Sequence, residues 1–480
     1  MSTVRTASLR IPLDFAPDHL ALVFGRRTGA AILESGPGFL GSGRWSIYAA
    51  EPRLSFRANS EGWWFDHHRH GITDPLSVLS DLLREHGLAD SCEEPGPDDP
   101  PFQGGLIGYF GYDLAPRLER LPRRARPDSR LDDLAFALYD KAVCVDGETG
   151  QVWLCGWDLD QQGQASHDRA LTRFAKSLTR RITDIARKPE QCAKMMRSSR
   201  LSTPVRSVLT REDYLAAVAR AKDYIVAGDI FQVNLSQRFE AQGQFDPLDL
   251  YFKLSKHSPA PFAAYLGIHG SEALVSASPE SFYQTRGSQI ITRPIKGTRP
   301  RGATPEDDAQ LAAELQVSVK DRAELTMIVD LERNDLGRVC RYGSVKVTEP
   351  LTIESYAQVH HLVATVQGRL RPEVGPIDVV RAMFPGGSIT GAPKIRAMEI
   401  IDELEPTRRS AYTGAIGYFS RGGSSAFNIA IRTMLVEGDR VTYQVGGAIV
   451  ADSEPENEYE ETLHKGRAMR EVLEGLERSE

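Results

Sequence analysis

A lysine beside a glycine in a proline-rich segment is the first group in this sequence able to do covalent chemistry. Thr292-Arg293-Pro294-Ile295-Lys296-Gly297-Thr298-Arg299-Pro300-Arg301-Gly302 holds two prolines and two glycines in eleven residues. That composition rules out a helix or a regular central strand and predicts a stiff, shaped loop. The apolar run Gln289-Ile290-Ile291 before it reads as the end of a strand. Gly297 leaves little side-chain bulk to stop a ligand approaching the backbone next to the Lys296 amine. Taken alone, such a segment is more often a solvated basic turn.

Further chemistry-bearing groups lie downstream. Glu454, Glu458, Glu461 and Lys465 are spaced four, three and four residues apart, so they share one face of a helix. Stacked acids at that spacing either face water or bind a hard cation, and magnesium takes one or two carboxylates plus water and substrate oxygens. Glu324 opens a markedly apolar helical stretch, where a buried acid needs a partner. In the strand expected over 424–436, the period-two rule puts Ala426, Asn428, Ala430 and Arg432 on one face. That face is poor core. It is either an exposed sheet face or a floor for a small anion, with Arg432 gripping a carboxylate bidentately. Pro385-Gly386-Gly387-Ser388-Ile389-Thr390-Gly391-Ala392-Pro393-Lys394 superficially resembles a phosphate loop but lacks Lys-Ser/Thr after Gly391. Its amides and hydroxyls still make a plausible anion cradle.

The elements that must position these groups follow from periodicity and punctuation. Residues 8–70 read as β-rich, with 20–24 and 30–35 as short apolar runs. A helix is expected over 74–86, with Leu76, Val78, Leu79, Leu82 and Leu83 on its buried side. An acidic, proline-rich loop follows over 92–101, then a closely packed strand in the glycine- and aromatic-rich run 104–113. Residues 134–146 and 151–158 read as a hairpin, and 166–187 as a polar helix. The basic, unpatterned stretch that follows supplies a linker, 191–207, between an N-terminal region, 1–190, and a C-terminal region, 208–480. Thr210 with an acid three residues on, Asp213, makes a capping box. Residues 230–239 alternate as a strand, 306–339 are helical with a break, and 377–384 form a short helix. A hairpin spans 424–450 about Glu437-Gly438-Asp439-Arg440, and 454–476 close the chain as a helix. No repeat of fixed period is present.

Composition sets the outer limits. The chain has 480 residues, 41% hydrophobic and 26% charged, enough for a sizeable core and about three domains by length. A net charge of −7 argues against a general nucleic-acid binder or an anionic-membrane coat, but leaves room for a local cationic pocket. Five scattered cysteines without a CxxC fit a reducing cytoplasm and no thiolate metal site. No apolar stretch suits a secretory signal or a bilayer span, so the expected location is the cytoplasm.

A series of motifs occurs in order: Ser278-Pro279-Glu280, Pro294-Ile295-Lys296-Gly297-Thr298, Glu324 followed by Val329-Asp330-Leu331-Glu332-Arg333-Asn334-Asp335, His360-His361-Leu362-Val363, Gly391-Ala392-Pro393-Lys394, Ile429-Ala430-Ile431-Arg432 and Ile449-Val450-Ala451-Asp452-Ser453. Together they resemble the chorismate-utilising enzyme family, which includes the large subunits of anthranilate and aminodeoxychorismate synthases. The resemblance covers most of the chain and is strongest over 210–470. It implies an α+β fold of two large, mainly antiparallel sheets packed together with outer helices, to which both sequence regions contribute.

Two positions bear on the branch. Lys296 stands where anthranilate synthases usually carry alanine and aminodeoxychorismate synthases a nucleophilic lysine. Gln232 stands where the water-using isochorismate and salicylate synthases have a base lysine. The resemblance therefore implies an addition–elimination on chorismate with Lys296 as nucleophile, Glu280 as proton shuttle and ammonia as the incoming group. It implies Mg2+ held by Glu324, Glu458 and Glu461. Substrate contacts fall to Gln232, Gly297, Thr298, His361, Ser388, Thr390, Tyr418, Arg432, Gly446, Gly447 and Lys465. Ala448 departs from the pattern, since relatives commonly have a third glycine there. Glu34, Ser35, Arg44, Trp45 and Ser46, with Pro259, Ala260 and Pro261, resemble the segments of a tryptophan pocket, the alternative being ordinary packing. No cysteine has a glutaminase setting, so a separate glutamine amidotransferase subunit is implied as the ammonia source. Anthranilate synthase component I and a catalytically silent chorismate-binding subunit are the rival readings.

Overall fold

The structure is a computed structural model that describes residues 6–478 apart from 12–16, 37–38, 40–42, 90–95, 97, 162, 188–194, 196, 269, 271 and 357–358. Parts of the expected 92–101 loop and of the 191–207 linker lie outside the described residues. Among the described residues, fourteen strands form one sheet and twelve a second. Pairing within both is almost wholly antiparallel. In the first, Ala31–Glu34 pairs with Phe262–Gly267, which joins the N-terminal strands to Glu272–Ser278, Thr433–Glu437, Arg440–Ile449 and Gln232–Gln244. In the second, Gly105–Phe110 pairs with Ala415–Ser420 and leads on to Ser425–Ile429, Ser281–Arg286, Gln289–Arg293, Val359–Arg369 and Ile295–Pro300. Both sheets thus draw strands from either side of the 191–207 stretch, whose Arg200–Leu201 and Arg206–Ser207 themselves pair with Gln232–Gln244.

Apolar side chains bind four layers together. Ile47, Tyr109, Ile416 and Leu435 belong to a core between the two sheets. Leu22, Leu178 and Leu473 carry the outer face of the first sheet onto helices Pro17–Gly25, Gln164–Arg187 and Pro455–Glu474. Leu79, Val329 and Val380 do the same for the second sheet with helices Pro75–Glu85, Val319–Gly337 and Pro376–Met383. Local signals set several boundaries. The Asp74 and Thr210 side chains cap their helices, Thr210 Oγ1 accepting the Asp213 amide at 3.1 Å. Ser318 splits the long helical stretch into Pro305–Val317 and Val319–Gly337 by capping the second half.

Four expectations are corrected. Residues 20–24 lie in helix Pro17–Gly25, because a short run apolar on every side suits a buried helix as well as a strand. The 134–146 segment breaks at Asp140: Leu134–Tyr139 lies in the second sheet and Lys141–Asp146 in the first, where it forms the hairpin with Val152–Trp157. The 424–436 segment breaks likewise, Ser425–Ile429 in the second sheet and Thr433–Glu437 in the first. Arg432 sits in that crossing with φ 49° rather than on an alternating strand face. Finally, 295–300 is a strand and not a loop. It ends the sheet order, where prolines are tolerated. Gly297 at φ 75° forms a bulge, with Lys296 opposite Leu362 and Thr298 opposite His361.

Candidate active site

Two sheet-switching corners lie side by side and organise the site. Ser278-Pro279-Glu280 carries the chain from the first sheet to the second, and Ala430-Ile431-Arg432 carries it back. They are stitched together by hydrogen bonds. The Ile429 amide donates to the Glu280 carbonyl at 3.0 Å, Ser278 Oγ to the Ile429 carbonyl at 2.6 Å, and the Ala277 amide to the Arg432 carbonyl at 3.0 Å. Glu280 and Arg432 thereby open into one cavity of about 870 Å³. The bulged strand supplies Lys296, Gly297 and Thr298, and Val359–Arg369 supplies His361. Helix Val319–Gly337 supplies Glu324, and helix Pro455–Glu474 supplies Glu458, Glu461 and Lys465.

Burial drives the titration of the central pair in opposite directions. Lys296 Nζ donates to the Ser388 carbonyl at 3.4 Å. Desolvation lowers its pKa, and Glu324 and Glu280 only partly restore it. Glu280 is 6% exposed. Burial raises its carboxyl, against the pull of the Ser388 hydroxyl and Lys296. Both shifts favour the neutral forms, an amine beside a carboxylic acid. Burial and the Arg432 charge push His361 down to about 4, and its Nδ1 lies 2.9 Å from Thr298 Oγ1. Among the described residues no carboxylate pairs with Arg432, so its half-buried guanidinium is free for an anion that enters the cavity.

The acids Glu324, Glu458 and Glu461 line the same cavity. Ser453 Oγ donates to Glu458 at 2.6 Å, Lys465 pairs with Glu461 at 2.6 Å, and Lys320 stands 4.0 Å from Glu324. Burial raises Glu458 and Glu324. For Glu461 burial is outweighed by the lysine charges, Lys465 first, and its pKa falls. A Cβ at Gly447 would lie 3.1 Å from Glu458 Oε2 and 3.3 Å from Glu461 Oε1. The two carboxylates therefore converge over bare backbone. Among the described residues no three His, Cys, Asp or Glu side chains form a ready-made metal cage. The donor set instead fits a hard cation held by two carboxylates and completed by water or substrate oxygens.

Several expected residues stand elsewhere. Gln232 is fully buried, neither amide atom has a partner, and it does not line the cavity; Asn234, two residues on, does. Thr390 Oγ1 donates to the Gly386 carbonyl at 3.0 Å and serves the loop's own shape. Tyr418 packs edge-on against Phe102 at 5.5 Å between the sheets. Tyr412 lines the cavity in its place. The two tyrosines share one glycine-rich run, and periodicity alone does not choose between them. The 385–394 loop is not an open anion cradle. Its Gly387 amide goes to Glu332 at 3.3 Å and Lys394 pairs with Asp335; only Ser388 and Ile389 reach the cavity. Gly446 and Ala448 line it, while Gly447 faces the acids.

The segments likened to a tryptophan pocket gather apart from this cavity. Glu34 accepts the Tyr48 hydroxyl at 2.6 Å and that of Tyr251. The Ser35 amide donates to Ser46 Oγ at 3.1 Å, and Gly36 to the Ala260 carbonyl at 3.0 Å. Pro261 flanks Ser35, its carbonyl facing Gly43, and Pro259 precedes Ala260 in the same segment. Arg44 pairs with Asp146 at 2.7 Å, its guanidinium 5.3 Å from the Trp45 ring.

Residues 41–471 match the family described as chorismate binding enzyme. The chain is 40% identical over 460 residues to aminodeoxychorismate synthase component 1 of Klebsiella aerogenes, covering 95% of this chain and 96% of that one. It is 42% identical over 403 residues to anthranilate synthase component 1 of Streptomyces coelicolor, covering 82% and 76%. Its fold matches that of anthranilate synthase component I from Streptococcus pneumoniae with a TM-score of 0.75 at 30% identity, over 89% and 92% of the two chains.

Proposed function

The chain belongs to the chorismate binding enzyme family, and from that premise we propose that it is the large component of an aminodeoxychorismate synthase. It converts chorismate and ammonia to 4-amino-4-deoxychorismate. The observation that carries this reading is Lys296. A half-buried amine with a lowered pKa shares the cavity with a buried acid of raised pKa and an arginine that no carboxylate pairs with among the described residues. Its relatives named as aminodeoxychorismate synthase component 1 run from 37 to 43% identity.

Arg432, with the Tyr412 hydroxyl and the Gly446 backbone beside it, holds one substrate carboxylate. Mg2+ bound among Glu324, Glu458 and Glu461 would neutralise the ring carboxylate and make the ring a better electron sink. The neutral Lys296 amine forms a bond to C2 while the ring double bonds shift and the C4–O bond breaks. Glu280 gives its proton to the departing hydroxyl, which leaves as water. Ammonia then bonds to C4, the double bonds shift back, and the C2–Nζ bond breaks to return the amine to Lys296. The surplus proton on the new amine passes to the Glu280 carboxylate, so both groups end as they began. The enolpyruvyl group is kept throughout. Ammonia comes from a separate glutamine amidotransferase subunit, with free ammonia replacing it in vitro. No helix among the described residues is long and apolar enough to cross a membrane.

The test is mass analysis of the products from the purified chain, chorismate, magnesium and ammonium. A product with one hydroxyl exchanged for an amine, giving p-aminobenzoate only when a lyase is added, supports the reading. Anthranilate with pyruvate places the chain on the other branch. No magnesium-dependent consumption of chorismate at all leaves a binding subunit.

A further inference from the structure

Lys296 Nζ meets the Ser388 carbonyl at 3.4 Å, so whatever fixes residue 388 also fixes the amine's surroundings. The loop around Ser388 has little regular structure of its own, only the single turn Gly387–Ile389 and the two-residue strand Gly391–Ala392. The Ser388 carbonyl also accepts Asn234 Nδ2 at 2.9 Å and the Ile389 carbonyl accepts the Arg409 guanidinium at 3.1 Å, while helix Val319–Gly337 holds the loop from behind. Glu332 Oε1 accepts the Gly387 amide at 3.3 Å, and its Oε2 lies 3.4 Å from Thr292 Oγ1, whose hydroxyl donates more closely to the Phe282 carbonyl at 2.8 Å. Thr292 lies in the strand that leads into Lys296. One carboxylate therefore touches both carriers of the Lys296–Ser388 contact. A Cβ on Gly387 would fall 2.5 Å from Leu331 Cδ2, so the glycine lets the loop press this close to the helix. Glu332 is 3% exposed and has no ion-pair partner among the described residues. Burial and the neighbouring Asp335 raise its pKa. A buried acid of this kind is costly to keep, and no step of the reaction uses it.

We infer that Glu332 is a positioning residue for Lys296, acting with Asn234 to fix the Ser388 carbonyl against the amine, chiefly through the Gly387 amide. The inference rests on the reading of Lys296 as the reacting amine. Glu332 does not touch substrate; its effect passes through Lys296.

The test compares E332A, E332Q, K296A and the E332A/K296A double variant, with chorismate consumption and product mass read together. E332A lowers kcat about tenfold or more while KM for chorismate stays within about twofold. E332Q keeps an acceptor oxygen for Gly387 and recovers most of the rate. In the K296A background E332A has little further effect, because the two residues act as one unit. The inference is overturned if E332Q is as impaired as E332A, if the loss appears in KM, or if E332A costs as much without Lys296 as with it. Product identity judges the parent reading separately. An anthranilate product refutes amine transfer, while the kcat–KM split and the E332Q rescue still decide whether Glu332 holds the site.

Discussion

Lys296 Nζ reaches the carbonyl oxygen of Ser388 across 3.4 Å, a long contact that a neutral amine can also make. Burial lowers its pKa, which eases the loss of the proton that a nucleophilic amine must give up. K296A therefore loses amination by about 10³-fold or more, since a covalent route is removed and not merely weakened. K296R fares no better, because a guanidinium does not give up its proton. The measurement is the rate of aminated product with ammonium as nitrogen source. K296A that keeps most of its activity points to the anthranilate-type reaction, in which no lysine adduct forms.

The opposite shifts of Lys296 and Glu280 fix the shape of the pH profile. Attack needs Lys296 deprotonated, and loss of the hydroxyl needs Glu280 protonated. Lys296 titrates below its ordinary 10.5 and Glu280 above its ordinary 4.5, so each shift enlarges the population of the active neutral pair at intermediate pH. E280Q removes one limb and lowers the plateau by about 10²-fold. The experiment holds free ammonia constant, so that its own protonation does not shape the curve. In E280Q, where the lysine alone shapes the profile, a rate that keeps climbing past pH 10.5 would show an ordinary, solvated lysine and sink this account.

The sequence made the chemistry of the site legible more readily than its geometry. Lys296, Glu280, Glu324, Arg432 and Glu461 do share a cavity, and short-range signals such as the Thr210 cap were accurate because cap and amide are neighbours in the chain. Arg432 shows where that stops. Period-two alternation put it on a strand face, but the chain leaves one sheet for the other at Ala430 and turns through a positive φ at Arg432. Nothing local marks a change of sheet, because the partners that decide it are distant in sequence. The proline-rich segment around Lys296 misled for a related reason. Its glycine and prolines are tolerated in a bulged strand at the sheet edge, and edge or centre is a property of the assembled sheet. Gln232 differs again: the family resemblance placed it among the substrate contacts, yet it is fully buried and does not line the cavity.

Tyr412 and Tyr418 separate a binding role from a packing role. Tyr412 lines the cavity with Arg432, whereas Tyr418 is packed between the sheets. Y412F removes a hydroxyl placed to donate to a substrate carboxylate and lowers kcat/KM for chorismate by about tenfold, the worth of one hydrogen bond to a charged group. Y418F leaves kcat/KM within about twofold and acts, if at all, on stability. Steady-state kinetics of the two variants decide the matter, and the reverse order of effects would return Tyr418 to the site.

Gly447 offers a test of the acidic wall that removes no carboxylate. An added Cβ would stand 3.1 Å from Glu458 Oε2 and 3.3 Å from Glu461 Oε1, tighter than ordinary contact, so the carboxylates must give by a few tenths of an ångström. If those oxygens hold a cation, G447A raises the Mg2+ concentration needed for half-maximal chorismate consumption by about tenfold, equivalent to roughly 1.4 kcal/mol of lost binding. Saturating Mg2+ then restores much of the rate. E461Q shifts the same midpoint further, because a formal charge is lost rather than displaced. Magnesium titrations of the wild type and both variants supply the comparison. If G447A and E461Q lower the rate at every Mg2+ concentration without moving the midpoint, the acids shape the cavity and the cation is bound elsewhere.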